Sequence, residues 1–195
     1  MKFNNLQPYG VGIASALSPR MKVRTAQGFA LIDLIFVCGI IGVLAVIAMP
    51  RLLLAKQAAG AASAIGSLRA INSSQLTFAL TCGGGFYAPT LTVLGTPPPA
   101  SSEGYITPAL AIANIVTRSG YNIEVQATPY AGAPPSCNGL AAGTAGQAFK
   151  AGADPIDGGL RFFATNANGQ IFEDTAPLFA SMPESGEPVT GHLLK

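Results

Sequence analysis

One run, RTAQGFALIDLIFVCGIIGVLAVIAMPRLLLAK, residues 24–56, constrains everything the chain can fold into. From Leu34 to Met49 there are sixteen residues without a charge, and from Phe29 to Met49 twenty-one with a single charge, Asp33. At a helical rise of about 1.5 Å per residue, that length covers roughly 30 Å, the thickness of a bilayer's hydrocarbon core. A soluble domain seldom buries such a run on every face, so the segment reads as a membrane-spanning helix rather than a core helix. It also poses a chemical question, because a carboxylate stands in its first turns.

Outside the run the chain holds enough residues for one small domain with its own core. Only 10% of the 195 residues are charged and the formal net charge is +2, so there is no electrostatic footprint for nucleic acid. The charge is unevenly placed. Residues 1–28 carry Lys2, Arg20, Lys22 and Arg24 and no acid, while the remainder has seven basic and nine acidic residues. A basic head on a mildly acidic body is the pattern of a targeting segment.

After Pro50 the composition shifts. RLLLAKQAAGAASAIGSLRAINSSQLTFAL is rich in Ala and Leu, with Ala61, Ile65, Leu68, Leu76 and Leu80 at mostly helical spacing. Arg51, Lys56, Arg69, Asn72 and Gln75 supply its polarity. This predicts an amphipathic helix over residues 51–81 that continues the apolar one over 29–50. Pro50 should kink the helix rather than end it, and TCGGG should stop it. Residues 82–195 predict a head of loops and antiparallel strands. GTPPPASSEG, GAPPSCNG and AGADPIDGG read as loops. YNIEVQATP reads as a strand, and LRFFATNANGQIFED as a hairpin turning at Asn168-Gly169. ITPALAIANIVTRSG reads as a short helix or packed loop, and the C-terminal PESGEPVTGHLLK as irregular. The expected class is α+β: a long N-terminal helix packed on a small antiparallel sheet.

This layout resembles the type IV pilin and type II secretion pseudopilin family. The motif evidence sits where the leader meets the apolar helix. Gly28 precedes Phe29, the fifth residue from Phe29 is the acid Asp33, the fourteenth is Gly42 and the twenty-second is Pro50. Family precursors have a short basic leader, a glycine, a phenylalanine that opens the apolar helix, and a glutamate at the fifth mature position. The match covers Arg24 to about Leu80, and GYNIEVQATP and GGLRFFATNANGQIFED look like the family's sheet segments. The resemblance implies that residues 1–28 are a prepilin leader, cut between Gly28 and Phe29 by a prepilin peptidase, with N-methylation of Phe29. It implies a structural subunit rather than an enzyme. The partners it implies are further copies, related pilin-like subunits and an inner-membrane assembly platform. The subunit would span the inner membrane once, head outside the cytoplasm, and then enter a periplasmic pseudopilus or a surface pilus. Two features depart from the pattern: Asp33 is one methylene shorter than glutamate, and a leader of 28 residues is long. Met21 offers a start that would give the shorter leader MKVRTAQG.

Asp33, Gly42 and Pro50 are thus the expected assembly residues. A carboxylate in hydrocarbon costs a few kcal/mol even on lenient scales, so a partner is expected. Cleavage after Gly28 would create one, the α-amine of Phe29. The family resemblance implies that Asp33 meets that amine on a neighbouring subunit, offsetting the desolvation of both. Lys22 and Arg24 read as cytoplasmic anchors, although Arg51 and Lys56 beyond the run weaken orientation by charge alone.

Cys82 and Cys137 would pair in an exported protein or remain two thiols, and Cys38 lies inside the apolar run as a small hydrophobe. The bridge would differ from the familiar pilin disulfide around the C-terminal loop. No CxxC, GxSxG, P-loop or strand-associated GxGxxG occurs. The sole histidine, His192, reads as solvated. Asp154, Asp157, Glu173 and Asp174 read as loop charges, with calcium ligation the alternative. No catalytic, cofactor or metal residue is expected. Two other functional classes fit the run: a secreted binding protein or enzyme whose signal peptide ends after VIA at 46–48, and a single-pass anchored protein that never polymerises.

Overall fold

The computed structural model describes residues 31–99, 101–158 and 161–194. The expected leader, Met21 and the Gly28–Phe29 junction lie outside the described residues. The chain divides into two units, Met1–Ala45 and Val46–Lys195, taken in turn below.

One helix, α1 (Leu31–Thr81), runs through both. In the first unit its described residues are almost all apolar and lie exposed, with Asp33 in the first turn. In the second unit α1 continues through Pro50 without a break, although proline removes one backbone donor from the ladder.

The burial of α1 changes at Gly60. From there Ala61, Ala64, Leu68, Ile71, Gln75 and Phe78 are buried at spacings of three and four, the period of one helix face. Gly60 allows the closest approach, since a Cβ there would stand 2.7 Å from the carbonyl oxygen of Ser119. This face differs from the expected one at its C-terminal end. Leu76 and Leu80 are exposed. At 100° per residue they stand about 80° and 120° around the helix from Leu68, so the core stripe runs through Ile71, Gln75 and Phe78 instead. Gln75 and Asn72 are not surface polarity. Gln75 is fully buried: its Nε2 donates to the Ala88 carbonyl at 2.8 Å, and its Oε1 accepts from the Ala88 N–H at 2.9 Å. Asn72 Nδ2 donates to Thr165 Oγ1 at 2.9 Å, linking the helix to the sheet.

The glycines after Thr81 end the helix as expected. The Gly83 N–H returns to the Phe78 carbonyl at 2.7 Å and Gly84 takes φ +60°. Cys82 and Cys137 form a disulfide, with 4.9 Å between their Cα atoms. Its sequence separation of 55 corresponds to about 4 kcal/mol of chain-entropy stabilisation as an upper figure. The bridge ties the end of α1 to the loops that follow the second strand.

Two short helices, α2 (Leu91–Gly95) and α3 (Pro108–Ala111), precede a six-stranded sheet. Its strands are β1 (Ile115–Arg118), β2 (Tyr121–Gln126), β3 (Lys150–Pro155), β4 (Phe162–Asn166), β5 (Ile171–Asp174) and β6 (His192–Leu193). They are antiparallel and lie in sequence order. The β2 strand and the β4–β5 hairpin match expectation, and Gly169 takes φ +76° in the turn. Three elements correct the sequence reading. IVTR is a strand, β1, joined to β2 by a two-residue turn in which Ser119 and Gly120 both have positive φ. KAGADP, expected as a loop, is the interior strand β3, paired on both sides. The C-terminal segment adds β6 to the edge through His192 and Leu193.

The two sheet faces bury different things. Val116, Ile123, Val125, Ala151, Ala153 and Phe163 pack with the buried face of α1 in one core. On the other face Ala164 and Phe172 pack with Leu178 and Met182 of the segment after β5. Gly152 makes room there, since a Cβ would meet Phe179 at 2.7 Å.

Gln75→Leu should lower unfolding stability by about 2 kcal/mol or more, because it strands both backbone groups of buried Ala88. Denaturant unfolding of the full chain reads this; a change below about 0.5 kcal/mol would mean the pair contributes nothing distinctive.

Candidate functional site

The candidate assembly surface is built from the first turns of α1. Of the expected site residues, Asp33, Gly42, Pro50, Cys82 and Cys137 are described, and Gly28 and Phe29 are not. Asp33, Gly42 and Pro50 lie on one continuous helix and are exposed. They are separated along it by nine and eight residues and so do not converge on one point. The apolar stretch has a mean hydropathy of 2.8 over eighteen residues, none of it buried. Among the described residues this is the one helix long and apolar enough to cross a membrane, by length and composition, and a signal segment would meet the same test.

The surface of that stretch is not uniform. Added Cβ atoms at Gly39 and Gly42 would meet nothing within 4 Å. The bare backbone at Gly39 leaves an apolar notch lined by Ile35, Phe36, Ile40, Val43 and Leu44. Cys38 is a free, exposed thiol beside it. A surface of this kind can associate with lipid or with another helix. Among its described residues, Asp33 and the Cys38 thiol are the only side chains that could act as base or nucleophile.

The head's acids do not form one cluster. Among the described residues no three His, Cys, Asp or Glu side chains are grouped to hold a metal ion. Glu173 is ion-paired with Arg161 on the β4 side and accepts or shares a hydrogen bond with His192 Nε2 at 3.1 Å. These contacts, led by the Arg161 hydrogen bond, hold the Glu173 carboxyl below its ordinary range. His192 is therefore not merely solvated, although it remains exposed.

Asp154 is different. It stands on β3, and its Oδ1 is buried without a hydrogen-bond partner among the described residues. Burial pushes its carboxyl upward. Glu124, on β2, faces the same side of the sheet, since Asn122 pairs with Asp154 and Glu124 with Gly152. Its carboxyl is also raised, first by burial and then by Asp154, with Lys150 opposing. Sequence reasoning missed this pair because it needs β3, which read as loop. In both acids burial opposes the charged form.

The pH consequence follows from the sign of the shift. A carboxyl whose folded pKa is raised contributes its stability below the unfolded pKa and loses it as pH rises through the folded one. Asp154→Asn should therefore raise the melting temperature near neutral pH, and the gain should shrink on acidification. Glu173 behaves oppositely, so Glu173→Gln should cost stability at neutral pH and lose that effect in acid. Thermal unfolding of the full chain across pH 3–8 would read both; an Asp154→Asn effect that does not change with pH would refute the buried-charge explanation.

No protein-family model, curated protein or solved structure gives a significant match to this chain.

Proposed function

We propose that the chain is a structural, pilin-like subunit of a type IV pilus or type II secretion pseudopilus, held in the membrane by α1 and polymerised through it. The observation that carries this reading is the division of labour along one unbroken helix. Before Pro50 its described residues are apolar and mostly exposed, with the one exception of Asp33; after Gly60 it supplies the core of a small antiparallel head. A helix that only anchored a domain would have no need of an acid at that depth.

In this reading a prepilin peptidase cuts between Gly28 and Phe29. Glycine before the scissile bond leaves the backbone accessible to the peptidase, and the new α-amine on Phe29 is methylated. Asp33 then attracts the amine of a neighbouring subunit. Both groups lose water on entering an apolar setting, and each offsets the other's cost. A subunit out of register leaves an unpaired charge, so one ion pair fixes axial position. The Gly42 and Pro50 positions weaken the helix locally, one by lacking a side chain and the other by lacking a donor. That would let the segment adjust as it leaves lipid for a bundle of like helices.

The mature N-terminus separates this reading from its competitors. Intact mass and N-terminal sequencing of protein from native membranes should find methylated Phe29. A start at or near Met49 would identify an ordinary signal peptide, and an uncut chain a simple anchor. Gly28→Leu should accumulate uncut precursor.

Asp33 variants test the assembly step separately. Asp33→Ala and Asp33→Asn should be inserted and cleaved normally, yet yield more than roughly tenfold fewer sheared fibres, because an unpaired buried charge costs several kcal/mol. Asp33→Glu should assemble, since it keeps the charge with a longer reach. Wild-type assembly by all three would reduce Asp33 to a tolerated interfacial acid.

A further inference from the structure

Just beyond Pro50 the second unit holds a groove of about 550 Å³ between α1 and the sheet. Leu53 and Leu54 form its helix wall, Tyr121 lies opposite, and Lys56 and Arg161 stand on its lining with one acid, Asp157. Leu53 and Leu54 are 58% and 65% exposed and stand past Pro50 and Arg51, beyond the uncharged stretch that ends at Met49. Their height explains what would cover them. They come four and five residues after Met49, about 6–8 Å further along the helix. The polar headgroup layer on each side of a bilayer is of about that depth. Lipid phosphates and the first acyl carbons lie there.

The charges fit an anion at that height. Lys56 has no ion pair among the described residues. Arg161 commits Nε and Nη2 to Glu173, and its Nη1 has no hydrogen-bond partner among the described residues. Its backbone is held in turn, because the Tyr121 hydroxyl donates to the Arg161 carbonyl at 3.2 Å. A guanidinium and an ammonium beside two exposed leucines match a phosphate joined to an acyl chain.

We propose that this groove seats an anionic phospholipid, its phosphate between Lys56 and Arg161 and its acyl chain against Leu53 and Leu54. The inference rests on the membrane-spanning part of the functional reading and not on polymerisation. A bound headgroup would hold the base of the head against the membrane surface until the subunit is withdrawn.

The test uses the full chain in nanodiscs of equal phosphatidylglycerol and phosphatidylcholine, with native mass spectrometry of the lipids retained. Phosphatidylglycerol should be enriched about fivefold or more, the factor expected per basic side chain at an anionic surface. Lys56→Gln, which breaks no ion pair seen in the structure, should reduce that enrichment by roughly the same factor. Asp157→Asn should increase it, and Arg51→Gln should leave most of it in place. A photo-crosslinker at Gln57 should label lipid. Unchanged enrichment in Lys56→Gln, loss in Arg51→Gln alone, or a Gln57 crosslink to a second copy would each overturn the proposal. A chain that enters nanodiscs without enriching the anionic lipid refutes the groove alone; a chain that fails to enter refutes the membrane reading as well.

Discussion

The structure depends on one unfavourable juxtaposition: a carboxylate on the surface of an apolar helix. The exposed leucines, isoleucines and valines from Leu31 to Leu54 demand removal from water. Asp33 demands the opposite, or else a cationic partner. Lipid satisfies the first demand and not the second. On the proposed reading, a bundle of identical helices with free N-termini would satisfy both, and only in registers that bring amine and carboxylate together. On that reading the conflict would serve as a specification, in the way a single polar residue fixes register in other helix assemblies.

The second half of α1 resolves its own surface internally. Small residues at Gly60, Ala61 and Ala64 bring the helix close to the sheet, and Leu68, Ile71 and Phe78 fill the space behind them. Phe78 meets Tyr105 edge-on with ring centroids 5.4 Å apart. The polar groups that must enter this core are paired: Gln75 with Ala88, and Asn72 with Thr165. The Cys82–Cys137 bridge lies where the helix ends and the loops begin.

What was legible in the sequence followed from period and punctuation. The apolar run, the glycines after Thr81 and the alternation in YNIEVQ each have a local physical meaning, and among the described residues they correspond to a long apolar helix, its stop and a strand. What was not legible depends on neighbours. KAGADP lacks the β-branched and aromatic residues that favour strands, and it is a strand because β2 and β4 pair with it on both sides. Its Gly152 is dictated by Phe179, almost thirty residues later. The placement of Glu124 and Asp154 on one face of the sheet depends on the same strand and was hidden with it. Leu76 and Leu80 continued the apolar count but not the buried stripe, which runs instead through a glutamine that no hydropathy pattern would place in a core. The expected assembly residues Asp33, Gly42 and Pro50 were legible individually, while the partner proposed for Asp33 would lie on another molecule.

The direct measurement is of that partner. Fibres assembled from a mixture of subunits, half carrying ¹⁵N-phenylalanine and half ¹³C-aspartate, can show a nitrogen–carboxyl dipolar contact only between different chains. Solid-state NMR should find the Phe29 amine within about 4 Å of an ionised Asp33 carboxyl, the range of an ion pair. A neutral Asp33 carboxyl with no inter-chain nitrogen contact in intact fibres would contradict the claim that this charge sets the assembly.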